Sequence, residues 1–347
     1  MRATGAATGL KLECWSSMNL PQPILVTGAA GFIGSKVCEL LLDEGRDVVG
    51  VDNLNDAYDV RLKRRRLAGL CTRSQFEFHQ VDITDRPAIE AVWQRGNGRP
   101  FDAVINLAAR AGVRQSVDNP WVYIDTNITG TLNLLQLCHD RHVPKFVLAS
   151  TSSLYGTGHP QPFREDYSTD APLSPYAASK KGAEAMCHSY HSLYGLDVTV
   201  FRYFTVYGPA GRPDMSLFRF VQRIAEGWPV TVFGDGQQSR DFTYVEDIAR
   251  GTIAGLTPVR HQVINLGSDA PAVLIDAIRK IEQLTGREAN LQFKPPALAD
   301  VPSTWADIHK AETLLGWRPR WTLDDGLGQL VEWYKANREW AKEIQTD

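Results

Sequence analysis

Cysteine is scarce in this chain and scattered. The five residues, Cys14, Cys38, Cys71, Cys138 and Cys187, are odd in number and never spaced Cys-x-x-Cys. That pattern argues against a disulfide framework and against a zinc site, calls for no metal, and suits the reducing cytoplasm. Long hydrophobic runs are also absent: none reaches the ~18 apolar residues that a spanning helix needs. Nor does charge of one sign dominate. A net charge of −3 over 347 residues offers no electrostatic case for nucleic acid or a membrane surface as partner. Residues 1–21 lack the continuous apolar core of a secretory signal and read as a disordered leader, with Met18 an alternative start. Internal repeats and low-complexity linkers are missing. What remains is an ordinary globular composition, long enough for one big domain or two.

The chain is organised around Ile24–Gly34. Ile24, Leu25 and Val26 form a short apolar run bounded by Pro23 and Gly28, the pattern of a buried strand. Glycine then recurs at 28, 31 and 34, and an apolar helical pattern follows at Val37, Leu40 and Leu41. Strand, glycine turn and helix start together make a phosphate pocket, because the first N–H groups of a helix lack partners and carry partial positive charge. Glycine lets the chain bend sharply and lets a ligand touch the backbone. Contacts to a dinucleotide are therefore expected from Gly28, Ala30, Gly31, Phe32 and Ile33. A second strand, Asp47–Val51, ends at Asp52, about 20 residues on, the spacing of a carboxylate that accepts from an adenosine ribose. Asn53 follows it. No Arg or Lys stands between Gly50 and Tyr58 to meet a 2′-phosphate, which favours NAD over its phosphorylated form.

Further along, the basic run Lys63-Arg64-Arg65-Arg66 reads as a solvated helix face, since no second basic cluster or aromatic platform supports a nucleic-acid site. Phe76–Val81 alternates like a strand and ends at Asp82-Ile83, which is placed to flank an adenine. Ala88–Trp93 is helical. Ala103–Leu107 is another buried strand, running into Ala108-Ala109, where small residues leave room for a flat ligand. Trp121–His142 contains a long helix, and Lys145–Ser150 is the next strand. Strands alternating with helices predict an α/β fold: a Rossmann-type doubly wound parallel sheet whose ligands sit beyond the carboxyl ends of the strands. The cofactor domain is expected over 22–203, with 241–266 returning to it and Gln262–Leu266 rejoining the sheet. A smaller C-terminal substrate-binding lobe is expected over 204–240 and 267–347. That lobe holds a strand at Val230–Phe233, helices at Val273–Leu284 and Ile308–Leu315, and a closing helix over Trp317–Trp340.

Chemistry is expected where Phe146–Ala149 runs into Ser150-Thr151-Ser152-Ser153. Those hydroxyls offer donors and acceptors at a strand end, although Ser/Thr-capped turns also look like this. Pro175 then opens a helix that carries Tyr176 and Lys180, four apart and on one face. A free phenol, with a pKa of about 10, is a poor base at neutral pH. A nearby ammonium stabilises the phenolate, so the pair reads as a base for removing an alcohol proton.

These residues carry a resemblance. From Ile24 to about Tyr334 the chain resembles the extended short-chain dehydrogenase/reductases that act on nucleotide sugars, and within them the UDP-glucuronate 4-epimerase branch. The resemblance implies a tightly held NAD that is reduced and reoxidised in each turnover, with Tyr176 as base, Lys180 as its activator and Thr151 bonding the reacting hydroxyl. It adds Tyr203, Leu107, Ala108 and Ala109 to the cofactor contacts. The segment Phe201-Arg202-Tyr203-Phe204-Thr205 through Gly211-Arg212-Pro213-Asp214-Met215 carries most of the similarity. It implies that Thr205 and Arg212, with Ser152 and Ser153, hold a sugar carboxylate through charge-assisted hydrogen bonds. Arg240-Asp241-Phe242-Thr243-Tyr244 implies that Arg240 contacts a UDP diphosphate. Related 4,6-dehydratases carry an Asp-Glu pair where Ser152-Ser153 stands, so elimination of water is not expected. A neutral-sugar 4-epimerase and a decarboxylase stay open as alternatives, as does a catalytically silent NAD-binding protein. No second basic residue for the diphosphate stands out, and Ala297-Leu298-Ala299 departs from the pattern there. The resemblance also implies a homodimer built from helices near Trp121–His142 and Pro175–Tyr194.

Overall fold

A computed structural model describes residues 22–95, 100–295 and 301–346. The expected leader at 1–21, with Cys14 and Met18, and the 297–300 stretch lie outside the described residues. The central feature is a seven-stranded sheet: β1 (Ile24–Thr27), β2 (Val48–Asp52), β3 (Phe76–Gln80), β4 (Ala103–Asn106), β5 (Lys145–Thr151), β6 (Asp197–Tyr203) and β7 (His261–Leu266). Every neighbouring pair is parallel, in the order β3-β2-β1-β4-β5-β6-β7. The sequence reading of a doubly wound parallel sheet is what the chain adopts. The interior strands β1, β2, β4 and β5 are buried along their whole length, as near-continuous apolar runs must be when helices cover both faces. β3, one of the two edge strands, keeps Glu77 and Gln80 exposed.

Alternate side chains of each strand feed two cores. Val26, Ile105 and Val147 join Val37 and Leu41 of helix Phe32–Asp43 and Ile248 of helix Val245–Ala254. Leu25, Val104 and Leu148 join Ile89, Leu134 and Cys187, which come from helices on the opposite face. The strand order runs outward from β1 to β3 and then returns to β4. The chain therefore leaves β1 and β4 toward opposite faces at their carboxyl ends, the switch point where such sheets bind ligands. A buried network pins that point: Thr27 Oγ1 donates to Asn106 Oδ1 at 2.7 Å, and Asn106 Nδ2 donates to Thr131 Oγ1 at 3.0 Å.

Beyond β6 the chain builds small two-stranded pairings: Thr205–Tyr207 with Phe242–Tyr244, Pro229–Phe233 with Asn290–Lys294, and Ser239–Arg240 with Ala272–Val273. Helices Ser216–Glu226, Leu274–Thr285 and Leu323–Ala341 pack against one another.

One local expectation gains detail and two need correction. The expected long helix within Trp121–His142 has a π-helical stretch at Ile124–Thr129 before helix Gly130–Asp140. There the Thr131 hydroxyl bonds back to the Asn127 carbonyl at 2.7 Å, a contact that competes with the regular ladder. The closing helix starts at Leu323, because Pro319 bars a regular helix earlier and Thr322 caps the Asp325 N–H at 3.2 Å. The residues expected at its start instead wrap Asp247, whose carboxylate accepts the Arg320 and Trp321 N–H groups at 3.0 Å. Third, the basic run is not one solvated face. Arg64 and Arg65 are exposed, but Lys63 is buried and Arg66 is half-buried. Arg66 donates to the Ala30 carbonyl and the Tyr58 hydroxyl, so a helix face that looked free instead braces the glycine loop.

Among the described residues no helix is long and apolar enough to cross a membrane, and no group of His, Cys, Asp or Glu is placed to hold a metal ion.

Candidate active site

The strand carboxyl ends surround a cavity of about 650 Å³. At the end of β1 the loop folds back on itself. Gly28 has a φ of +69°, and a Cβ there would lie 2.8 Å from the Ala108 nitrogen. A Cβ on Gly34 would lie 2.0 Å from the Gly28 carbonyl oxygen. Helix Phe32–Asp43 starts from Gly31, which supplies no side-chain cap, so its first N–H groups are available to an anion. Gly28, Gly31, Phe32 and Ile33 line the cavity; Ala30 does not, because it is fully buried behind the loop. That position in the expected cofactor set is corrected: Ala30 contributes its carbonyl to Arg66, not a surface to a ligand.

Asp52, at the end of β2, faces the cavity and accepts the Leu54 N–H at 2.8 Å. Asn53 Nδ2 donates to Asp82 Oδ2 at 2.6 Å, and Ile83 lies beside them on the wall. Burial pushes the Asp82 carboxyl up, but hydrogen bonds from Thr84 and Asn53 outweigh it and hold it below the usual carboxylate range. Leu107, Ala108, Ala109 and Tyr203 also line the cavity. A cradle that any Cβ would fill, an uncapped helix start and a carboxylate one strand over fit a bound dinucleotide.

Helix Pro175–Tyr194 brings the expected base to the same space. Ser174 caps it by accepting the Ala177 N–H at 3.2 Å, Pro175 fills its first turn, and Gly195 closes it in the left-handed region. Tyr176 and Lys180 both line the cavity beside Thr151, Ser152 and Ser153. Lys180 Nζ donates to the Ala149 carbonyl at 2.8 Å, and burial lowers its pKa to about 8 against the opposing charge of Glu184. The Tyr176 phenol is raised by burial, while a hydrogen bond with Thr151 and the charge of Arg212 pull it down. The Lys180 ammonium also serves the Ala149 carbonyl, and Arg212 adds a second positive charge that lowers the phenol.

Thr205 and Arg212 reach the cavity from the segment after β6. Arg212 is clamped by Asp214, with Nε donating to Oδ1 at 3.1 Å, and also reaches the Ala111 carbonyl at 3.3 Å. Arg240 lines the far wall, its Nη1 donating to the Ser239 carbonyl at 2.8 Å.

Several residues escape a reading of the sequence. Arg114 and Arg219 enter the same cavity from segments without a motif, Arg114 lying 4.1 Å over the Phe233 ring. They supply the further cations that the sequence did not reveal. Asn127, in the π-helical stretch, donates to Ser179 Oγ at 2.8 Å and takes the Arg110 N–H at 2.9 Å, tying the Tyr176 helix to the β4 loop. Glu184 lies one turn beyond Lys180, where it accepts Arg202 at 3.1 and 2.9 Å in a buried pair. Its i+4 spacing from Lys180 places Glu184 on the same helix face, but its Arg202 partner comes from β6, 18 residues on. Lys63 is the remaining addition: its Nζ lies 3.4 Å from Asp52 Oδ1 and 2.9 Å from Asn55 Oδ1.

Comparison with known proteins agrees with this geometry. A UDP-glucuronate 4-epimerase of Thermodesulfobacterium geofontis is 56% identical over 322 residues, covering 92% of this chain and 98% of that protein. The structure of a Bacillus cereus UDP-glucuronic acid 4-epimerase in complex with UDP-glucuronic acid and NAD matches with a TM-score of 0.85 at 39% identity, over 91% of this chain and 99% of that one. A Thermotoga maritima UDP-glucose 4-epimerase with UDP-glucose matches with a TM-score of 0.82 at 32% identity, over 91% and 99% of the two chains. Residues 24–267 match the family model for NAD-dependent epimerases and dehydratases. The chain thus belongs to the NAD-dependent epimerase/dehydratase family.

Proposed function

We propose that the protein interconverts UDP-glucuronate and UDP-galacturonate by inverting C4 of the sugar. The observation that carries this reading is the convergence in one cavity of the Tyr176 base, the dinucleotide cradle and the hydroxyls of Thr151, Ser152, Ser153 and Thr205. The named activities of the Thermodesulfobacterium and Bacillus relatives support it. NAD, when bound, supplies a reversible acceptor for the C4 hydride. Gly28, Gly31 and the helix start hold its pyrophosphate, and Asp52 meets its ribose. Tyr176 takes the proton of the C4 hydroxyl, and the Thr151 hydroxyl, bonded to the phenol, orients that alcohol. The 4-keto sugar is a β-keto acid prone to losing carbon dioxide. Ser152, Ser153, Thr205 and Arg212 hold its carboxylate so that the C5–C6 bond stays unfavourably aligned for cleavage. Arg240, Arg114 and Arg219 take the diphosphate. Ser152 and Ser153 bring no carboxyl acid and base, so the site is not built for dehydration.

A second reading, a neutral-sugar 4-epimerase, has one observation behind it: Asp214 already occupies the Arg212 guanidinium. Turnover on UDP-glucuronate and UDP-glucose, without added cofactor, separates the two. Preference for UDP-glucuronate is expected; a better rate on UDP-glucose would reject the carboxylate assignment.

The reading extends to a cytoplasmic homodimer. The four described cysteines are all unpaired, as in a reducing compartment. Val117, Trp121 and Leu193, on and beside the two helices expected at the interface, are 63%, 75% and 71% exposed.

A further inference from the structure

The sequence offers no cation between Gly50 and Tyr58 to meet a 2′-phosphate. The fold supplies one from outside that window. Lys63 comes from the second turn of helix Val60–Leu70 and is 5% exposed, yet it lines the cavity with its ammonium against Asp52 and Asn55. Asp52 is itself 6% exposed. Three other cations of the cavity already have partners of their own: Lys180 donates to Ala149, Arg212 to Asp214 and Arg240 to Ser239. We propose that the buried Asp52–Lys63 pair, not Asp52 alone, sets cofactor choice, and that Lys63 is a latent site for a 2′-phosphorylated adenosine ribose.

The argument is one of charge and reach. A carboxylate at the end of the second strand accepts from the ribose 2′-hydroxyl, and a cation in the same place accommodates a 2′-phosphate. Here both groups occupy that place, 3.4 Å apart. While Asp52 is ionised, it repels the phosphate and pins the ammonium, so the pair presents an acceptor and a donor to two ribose hydroxyls. Removing the Asp52 charge leaves a buried ammonium with the Asn55 amide oxygen and the Tyr58 ring but no anion beside it, and a phosphate dianion becomes its natural partner. A single neutralising substitution is then enough to change the preference, with no cation added.

The inference rests on the dinucleotide reading of the cavity, and the test keeps the two apart. Protein freed of bound nucleotide is titrated calorimetrically with NAD+ and with NADP+. The wild type binds NAD+ in preference. Asp52→Asn gains affinity for NADP+ relative to NAD+ by roughly ten- to hundredfold, the worth of a hydrogen bond to a charged group. Adding Lys63→Met to that variant removes the gain, and the NADP+ gain also weakens more steeply with salt than NAD+ binding does. If Asp52→Asn does not fold, as judged by circular dichroism, Asp52→Ser carries the same expectation. No gain in NADP+ affinity, or a gain that survives loss of Lys63, overturns the proposal while leaving NAD binding intact. A wild type that binds neither dinucleotide overturns the reading beneath it and the proposal together.

Discussion

At the scale of single residues, the account turns on Tyr176 and the charges around it. Burial raises its phenol and Arg212 lowers it. A base with a raised pKa is populated later as pH climbs, so kcat/KM is expected to rise through the alkaline range. Arg212→Met removes a lowering influence, and the rising limb should move to higher pH; a limb that stays put or moves down contradicts the assignment. Tyr176→Phe should abolish turnover while nucleotide binding, followed by calorimetry, persists. Glu184 plays a different part. Its carboxylate pairs with Arg202 in the core, so Glu184→Ala strands a buried guanidinium and should cost about 3–5 kcal/mol in urea unfolding. The meeting of Tyr176 and Lys180 in one cavity was legible because they stand four apart after a helix start. Arg212's influence on the phenol was not, because it depends on how the chain after β6 reaches the cavity.

At the scale of elements, the glycine loop and the Tyr176 helix do the positioning. Gly34→Ala places a Cβ 2.0 Å from the Gly28 carbonyl, and the loop must open to admit it. The variant should lose dinucleotide binding and about 1–3 kcal/mol or more of stability, read by calorimetry and thermal unfolding. Ser174→Ala removes the cap of the catalytic helix and should cost about 1 kcal/mol. The loop was readable because glycine at every third position has few other uses between a strand and a helix. The π-helical stretch at Ile124–Thr129 was not, since its cause is a web of hydrogen bonds from Asn127 and Thr131 to partners up to 52 residues away in the chain. The inward turn of Lys63 was hidden for a related reason. A run of four basic residues looks solvated until the end of β2 is brought against it.

For the whole molecule, the alternation of strands and helices was enough to anticipate the parallel sheet and the row of strand ends that forms the cavity. Beyond β6 the five-residue strand at Pro229–Phe233 was legible, but the strands of two or three residues were not, because they bury too little to leave a pattern. The proposed dimer belongs to this scale: Trp121→Glu with Leu193→Glu should shift the mass in sedimentation from two copies to one, and an unchanged mass would place the interface elsewhere. The central claim, that one cavity both opens and restores the same C4–H bond around a captive cofactor, is tested most directly with UDP-glucuronate carrying deuterium at C4 and no added nucleotide. NMR should show UDP-galacturonate with the deuterium still on C4. Loss of the label to solvent, or a pentose as the main product, would contradict it.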